Sequence, residues 1–298
     1  MESGLDGTAT ENFLLHLINA LQDRSQMNLA LQLLCRYQGP EVGPLIWYCR
    51  RARTALLNEL DLMHISTGLL NMNASEARKA IRIIALLQRI SSDPNLATQV
   101  LAQDVPYHLL PFITGISQNI YVESVCKASL VFFIRLLEIK REETITFLLG
   151  TNFINECAEV LRDGTLRVTE TAVKIMLIFL QDQRGYAFIC GNLNRLIATI
   201  NGLASATVSI CNAQFYGVLR NIISCYMHLA ENERARRLLR YHFPSVMREA
   251  DMRRCLTHDE SLLISMELLL TQIYTEPVRG QNGNDSRSQN VTLPESQN

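Results

Sequence analysis

The sequence contains little lysine, a single tryptophan and no long apolar run. Its 28 basic residues include only four lysines, Lys79, Lys127, Lys140 and Lys174, so 24 are arginines. The longest apolar stretch, "ASLVFFIRLL", covers about ten residues and includes Arg135, whereas a membrane-spanning helix needs roughly 20. The acidic start "MESGLDGTATE" lacks the apolar centre of a signal peptide. We therefore expect no membrane partner.

Motifs for catalysis and metal binding are also missing. The eight cysteines include no Cys-x-x-Cys pair, and the six histidines are scattered. Because metal ligands often occur in closely spaced pairs, this pattern does not indicate a metal site. The sequence has no nucleophile elbow, no His-Glu-x-x-His and no phosphate-binding glycine loop. We expect a protein that is not an enzyme and that binds no metal or cofactor. We also expect the thiols to be reduced, which is typical of a protein in the cytoplasm or in both the cytoplasm and the nucleus. Cys190 or Cys225 paired with a distant histidine stays open as the enzymatic alternative.

Arginines are concentrated in two regions, although the net charge of −1 gives no overall attraction to nucleic acid. One is the segment "CRRARTALL", and the other is 220–254, where eight arginines and four acidic residues leave a local charge of +4. Guanidinium groups bind phosphates and carboxylates well, but a solvated helix face is the alternative. The weak nucleic-acid candidates are Arg50, Arg51, Arg53, Arg237 and Arg240.

Helical periodicity dominates the chain, and strand signals are weak. In "NFLLHLINALQ", for example, Phe13, Leu17 and Leu21 lie on one stripe. Four longer stretches share one pattern: an apolar helix end, a polar kink of about four residues, and a second helix. They are "ALLQRISSDPNLATQVL", "RLLEIKREETITFLL", "MLIFLQDQRGYAFIC" and "CYMHLAENERARRLL".

The spacing of these four stretches predicts a repeat architecture. The last apolar residues before the kinks are Ile90, Ile139, Leu180 and Leu229, at intervals of 49, 41 and 49. Ten or eleven residues later comes another apolar residue in each: Leu101, Leu149, Cys190 and Leu239. Three-helix armadillo repeats have a period of about 40–47 residues. We predict an all-α, armadillo-like α-solenoid, a right-handed superhelix of about six repeats with a long groove for partners.

Composition also suggests the domain boundaries. We expect a flexible N-terminus over 1–10 and an armadillo-like domain over 11–275. The segment 276–298 is rich in Gly, Asn and Ser and nearly free of aliphatic residues, which predicts a disordered C-terminal tail.

Several motifs occur together in a familiar order over about 11–275. They are "ALLQRISSDP", "VPYHLLPFI", "FLLGT", "DQRGYAFIC", "CYMHLAENERAR" and the proline of "FPSVM". The chain thereby resembles the Rcd-type, "required for cell differentiation" family, the armadillo-repeat subunit of the CCR–NOT mRNA deadenylase complex. This resemblance implies a non-catalytic solenoid that docks on the NOT scaffold subunit and binds mRNA-decay or translational-repression adaptor peptides. Transcriptional control of differentiation, a nucleic-acid-binding groove and a homodimer are further properties that it implies.

The resemblance also assigns a scaffold-binding helix. The family helix reads approximately "LWHSFGTIAALLQEI", and this chain reads "IWYCRRARTALLNEL". Trp47 is retained, whereas Tyr48, Arg50 and Thr54 replace the family's His, Phe and Ala. A guanidinium in place of an interface aromatic needs an acceptor on the partner, because an unpaired buried charge costs several kcal/mol. The resemblance therefore implies a diverged paralogue whose scaffold-binding residues are Trp47, Tyr48, Arg50 and Thr54.

A second set of residues is implied for adaptor peptides. The family's "TYERF" corresponds to "NLNRL", with Leu193 in place of the tyrosine and Arg195 retained. The family's "NPRAR" corresponds to "NERAR", with Arg234 and Arg236 retained and Glu233 in place of the proline. A nucleic-acid-binding or transcription-regulatory protein that uses its arginine clusters is the alternative function.

Overall fold

The chain folds into consecutive α-helices joined by short turns. The computed structural model describes residues 3–67, 71–114, 119–213, 215–249 and 259–275, and no strand occurs within those ranges. The helices are α1 (Ser3–Ala20), α2 (Arg24–Arg36), α3 (Val42–Tyr48), α4 (Arg50–Thr67), α5 (Ala74–Ile90), α6 (Pro94–Ala102), α7 (Pro111–Thr114), α8 (Ile120–Ile139), α9 (Arg141–Leu149), α10 (Phe153–Asp163), α11 (Leu166–Gln181), α12 (Gln183–Cys190), α13 (Leu193–Asn212), α14 (Leu219–Glu231), α15 (Glu233–His242) and α16 (Glu260–Tyr274). Short 3-10 turns cover Val105–His108, Tyr216–Val218 and Ser245–Arg248.

The four kinks are where the sequence predicted them. Helices α5 and α8 end at Ile90 and Ile139, and α11 and α14 continue one and two residues past Leu180 and Leu229. A short helix follows each kink: α6, α9, α12 and α15. The repeated unit of a long helix, a kink and a short helix is therefore confirmed.

Three of the kinks have a local chemical cause. Asp93 and Asp182 each accept two backbone N–H groups at the start of the following helix, and Asn232 accepts the N–H of Ala235 at 3.1 Å. Asp and Asn are favoured helix N-caps because their side chains satisfy N–H groups that have no partner within the helix. The polar residue in each of these three kinks therefore starts the next helix, and Asp182 and Asn232 are also the residues at which the preceding helix ends.

The helices stack in rows, as a solenoid requires. The long helices α5, α8, α11, α14 and α16 pack in succession, and α2–α4 pack against α5 at the N-terminal end. A second row comprises α7, α10 and α13, and a third comprises α6, α9 and α12. Phe133, Phe153 and Phe179 form a continuous aromatic contact from α8 through α10 to α11. Each unit thus buries its apolar face against its neighbours, which confirms the α-solenoid.

The predicted domain boundaries stay predictions. Helix α1 begins at Ser3, so helical backbone extends into 1–10, and 276–298 lies outside the described residues. Within the described part of the chain, no helix is both long and apolar enough to cross a membrane.

Candidate functional site

Arginine side chains are used repeatedly to hold helix ends. Five of them donate to backbone carbonyls near the C-termini of α2, α3, α11, α12 and α16: Arg89, Arg53, Arg141, Arg195 and Arg240. The last carbonyls of a helix lack partners and carry partial negative charge, so cations are favourable there. These five arginines therefore have a structural role, and three of them, Arg53, Arg195 and Arg240, are residues that the sequence suggested for binding.

The predicted scaffold-binding residues lie at the corner between α3 and α4. Trp47 is only 1% exposed, and its Nε1 donates to Gln99 Oε1 at 2.8 Å. Tyr48 is 73% exposed, and Arg50 and Thr54 are exposed on the first turn and a half of α4. Trp47 therefore supports the corner from inside, while the other three form the outer surface.

Arg53 links the same corner together. Its guanidinium lies 4.4 Å from the centre of the Trp47 ring, and its Nη1 donates to the Trp47 carbonyl at 2.9 Å. Burial, helped by the nearby charge of Arg50, lowers the pKa of Arg53. Arg50 and Arg51, by contrast, are exposed and have no ion-pair partner among the described residues. Of the three arginines in this cluster, these two are available to a partner.

The predicted adaptor-binding residues lie on two helices in contact, α13 and α15. Leu193 begins α13 and is 38% exposed. On α15, Arg234 is exposed and Arg236 is half-buried, and neither is paired with an acid within the described ranges. Arg195 is turned inward: its guanidinium lies 3.4 Å from the centre of the Phe188 ring, and its Nη1 donates to the Phe188 carbonyl at 2.6 Å.

The contacts that Arg195 makes with Phe188 are of the same two kinds as those that Arg53 makes with Trp47. In both, an arginine early in one helix (α4 or α13) covers an aromatic ring near the end of the preceding helix (α3 or α12) and donates to the carbonyl of that aromatic residue. Burial lowers the pKa of Arg195 too. The sequence did not reveal this recurrence, because the two segments share only the order of an aromatic residue and an arginine.

The remaining arginine candidates on α15 are engaged within the chain. Arg237 forms an ion pair with Glu233, and Arg240 donates to the carbonyls of Ile273 at 2.8 Å and Thr275 at 3.3 Å. Helix α15 packs on α13, α14 and α16, whereas α4 packs on α3 and α5. The two arginine regions therefore lie in different parts of the solenoid. A partner that binds one region does so without contacts from the other.

A polar cleft that the sequence analysis missed lies between α10 and α13. Its volume is about 470 Å³, and asparagines dominate its lining: Asn152, Asn155, Asn192 and Asn194. The charged residues Glu159, Arg162 and Arg195 also line it. A signal was present in the asparagines at both helix starts, "TNFINE" and "GNLNR". Because those segments are about 40 residues apart, only the stacking of adjacent repeats shows that they face one space.

A second cleft of about 340 Å³ crosses the long helices α8, α11 and α14. Charges of both signs line it, including Arg135, Lys174 and Glu138. Glu138 accepts from Arg135 at 3.1 Å and from Lys174 at 3.3 Å. The two cations therefore share one carboxylate, on the exposed surface of the protein.

The cysteines of the enzymatic alternative are in unreactive surroundings. Cys225 is fully buried, and burial raises its pKa well above the ordinary range. Burial likewise raises the pKa of Cys190 to about 11. A thiol reacts as its thiolate, so both side chains are poor nucleophiles at neutral pH. Among the described residues, no group of three His, Cys, Asp or Glu side chains could hold a metal ion.

Comparison with known proteins identifies relatives over most of the chain. A cell differentiation protein, rcd1, of Schizosaccharomyces pombe is 26% identical over 80% of this chain and 84% of its own length. Protein CAF40 of Saccharomyces cerevisiae is 28% identical over 79% of this chain, which spans 64% of that protein, just under two thirds. A designed armadillo repeat protein shares the fold, with a TM-score of 0.52 at 14% identity over 87% of this chain and 99% of its own.

A family model gives the assignment. The model described as "Cell differentiation family, Rcd1-like" matches residues 17–273, a range that extends from α1 to α16. The chain belongs to the Rcd1-like cell differentiation family.

Proposed function

We propose that this protein is a non-catalytic adaptor subunit of the CCR–NOT complex, active in mRNA turnover and translational repression. Its family membership carries the proposal, and the solenoid supports it because stacked repeats offer extended surfaces for partners. The NOT scaffold subunit would bind the α3–α4 corner, and adaptor peptides the α13–α15 surface. Binding to that complex implies a cytoplasmic location, with a nuclear fraction where the protein acts on transcription.

The corner fits a docking surface in its chemistry. Tyr48, Arg50 and Thr54 are exposed together above the buried Trp47. A partner that binds here would contact the Tyr48 ring and the Arg50 guanidinium, on a corner that Trp47 packs from inside. Tyr and Arg are enriched among residues that dominate binding energy. Because Arg50 has no acid partner within the described residues, the scaffold surface must supply a carboxylate or a carbonyl.

Co-purification with a recombinant fragment of the NOT scaffold tests this proposal. We expect the wild-type chain to retain the fragment, and the double variant Tyr48→Ala, Arg50→Ala to lose it. The matched control is Arg237→Ala with Tyr241→Ala, an exposed Arg–Tyr pair on α15. Failure of both the wild-type chain and the Tyr48→His, Arg50→Phe variant to bind the scaffold would contradict the proposal.

A second candidate function is nucleic-acid binding by the unpaired arginines. Arg50 and Arg51 on α4, and Arg234 and Arg236 on α15, have no acid partner among the described residues. Phosphate contacts release counterions, so affinity for single-stranded RNA should fall steeply with salt. Replacing Arg234 and Arg236 by alanine should flatten that dependence. An affinity for single-stranded RNA that does not change with salt concentration would argue against this function. So would the absence of RNA binding at low salt.

A further inference from the structure

Helix α4 has one exposed face that runs along most of its length. Exposed residues recur there at spacings of three and four: Arg51, Thr54, Asn58, Leu62 and Ile65. Positions with this spacing lie on one side of an α-helix, and it is the spacing at which two helices pack along each other. At about 1.5 Å per residue, this α4 outer face is about 21 Å long, close to four turns.

The acidic residues at the two edges of the α4 outer face are engaged within the chain. On one edge, Asp61 Oδ1 lies 2.7 Å from His108 Nδ1. On the other, Glu59 Oε1 accepts from Lys79 Nζ at 2.7 Å, and both of these side chains are largely covered. The pairs join α4 to the 3-10 turn Val105–His108 and to α5, on which α4 also packs. The face between the two edges is therefore held in a fixed position.

The two ends of the α4 outer face differ in chemistry. At its N-terminal end, Arg50 and Arg51 are exposed and have no ion-pair partner among the described residues. At its C-terminal end, Leu62 is 40% exposed and Ile65 is 77% exposed. Single exposed aliphatic side chains are common on protein surfaces, but these two are three residues apart and so lie side by side. The face therefore has a basic end and an apolar end.

This polarity goes beyond what the family resemblance assigns. The helix compared with the family ends at Leu60, so the resemblance gives no role to Leu62 or Ile65. Arg50 stands where the family helix has a phenylalanine, so the basic end is a feature of this chain.

The two ends together distinguish among classes of partner. A nucleic acid would satisfy Arg50 and Arg51 through its phosphates, but it would leave the aliphatic end without an apolar contact. A wholly apolar helix would cover the aliphatic end, but it would bury two guanidinium groups without acceptors, which is unfavourable. An amphipathic helix with carboxylates at one end and aliphatic residues at the other is complementary to both ends.

We propose that the NOT scaffold subunit docks on the α4 outer face through one amphipathic α-helix that lies along α4. Its carboxylates pair with Arg50 and Arg51, and its aliphatic side chains pack on Leu62 and Ile65. The proposal rests on the proposed function, and it adds the secondary structure and the charge pattern of the segment that binds.

Calorimetric titration of the full-length chain with a recombinant fragment of the NOT scaffold tests the two ends separately. Arg51→Ala should weaken binding about fivefold in about 50 mM salt and less than about twofold in about 500 mM salt, because exposed ion pairs are screened. The double variant Leu62→Ser, Ile65→Ser should weaken binding about tenfold or more at both salt concentrations, because apolar contacts are not screened. The matched control is Ile264→Ser with Leu268→Ser, an exposed aliphatic pair on α16, and it should bind as wild type does.

Photo-cross-linking tests whether one helix covers both ends. Benzoylphenylalanine is placed at position 51 in one variant and at position 65 in another. Mass spectrometry should find both cross-links in one segment of the scaffold, about 14 residues apart, because two helices that lie along each other rise equally. Melting by circular dichroism should match wild type for every variant, since the changed residues are exposed; where a variant melts lower, the cross-links decide the proposal.

The outcomes separate this proposal from scaffold docking itself. Binding that needs Tyr48 and Arg50 but is unchanged in the Leu62→Ser, Ile65→Ser variant would overturn the proposal and retain scaffold docking. Cross-links in two separate scaffold segments, or scaffold binding only by the Tyr48→His, Arg50→Phe variant, would do the same. Single-stranded RNA that displaces the scaffold fragment, and whose binding needs Arg51 but not Ile65, would assign the face to nucleic acid and overturn the proposal. A fragment that binds neither wild type nor the Tyr48→His, Arg50→Phe variant would overturn both.

Discussion

The corner formed by Trp47 and Arg53 allows the clearest prediction about stability. Replacing Arg53 by alanine removes a charge-assisted hydrogen bond of 2.9 Å to the Trp47 carbonyl and a guanidinium 4.4 Å from the ring centre. Hydrogen bonds to charged groups contribute about 1.5–3 kcal/mol, and half-buried cation–π contacts about 1–2 kcal/mol. Because one side chain makes both contacts and stays half-buried, we expect a loss of about 2–3 kcal/mol, below their sum.

Urea unfolding measures this loss, and the sequence provides a local probe. Trp47 is the only tryptophan, so its fluorescence reports the α3–α4 corner, while circular dichroism reports all helices. Repeats interact mainly with their neighbours, so the Arg53→Ala variant should lose its fluorescence signal at lower urea than its helical signal. In wild type we expect the two transitions to lie closer together.

Arg50→Ala is the matched control, because Arg50 is exposed and has no acid partner among the described residues. Its free energy of unfolding should stay within about 0.5 kcal/mol of wild type. If Arg50→Ala and Arg53→Ala have the same effect, or if Arg53→Ala leaves the fluorescence transition in place, the distinction between structural and available arginines is wrong.

Three further changes test the packing and the buried thiols. Gly202→Ala should cost about 1–3 kcal/mol by overpacking α13 against α10, whereas Gly217→Ala, with open space around it, should not destabilise; thermal melting compares the two. Gln99→Leu should cost about 1–3 kcal/mol because it leaves the buried indole N–H of Trp47 unpaired, and urea titration measures it. Burial raises the pKa of Cys126 from 9.0 to about 12, so the folded state keeps this proton while the unfolded state loses it. Stability should therefore fall as pH rises above 9, and Cys126→Val should reduce that slope by about 1.4 kcal/mol per pH unit; an unchanged slope would contradict this assignment.

The order of the helices could be predicted because its causes are local. Asp93, Asp182 and Asn232 cap the helices that they precede, and an N-cap needs only the next three residues. The recurrence of apolar helix ends at Ile90 and Ile139 then indicated stacked repeats, because a lone helical hairpin cannot bury its apolar face.

The binding surfaces could be predicted only in part. The sequence placed Tyr48 and Arg50 beside Trp47, and the structure separates them into an exposed pair and a buried support. It could not show that Arg53 and Arg240 bind helix carbonyls, because an arginine on a helix has the same local pattern whether it points to solvent or to a neighbouring helix.

The sequence by itself determined the helical content, the kinks and the family, since these depend on apolar spacing, capping residues and short motifs. Only the tertiary structure decided which arginines are free and where the asparagines meet. Asn155 and Asn194 belong to different repeats, and they line one cleft because α10 and α13 pack backbone to backbone at Gly202. That packing depends on two segments about 40 residues apart, and no local pattern in either segment specifies it.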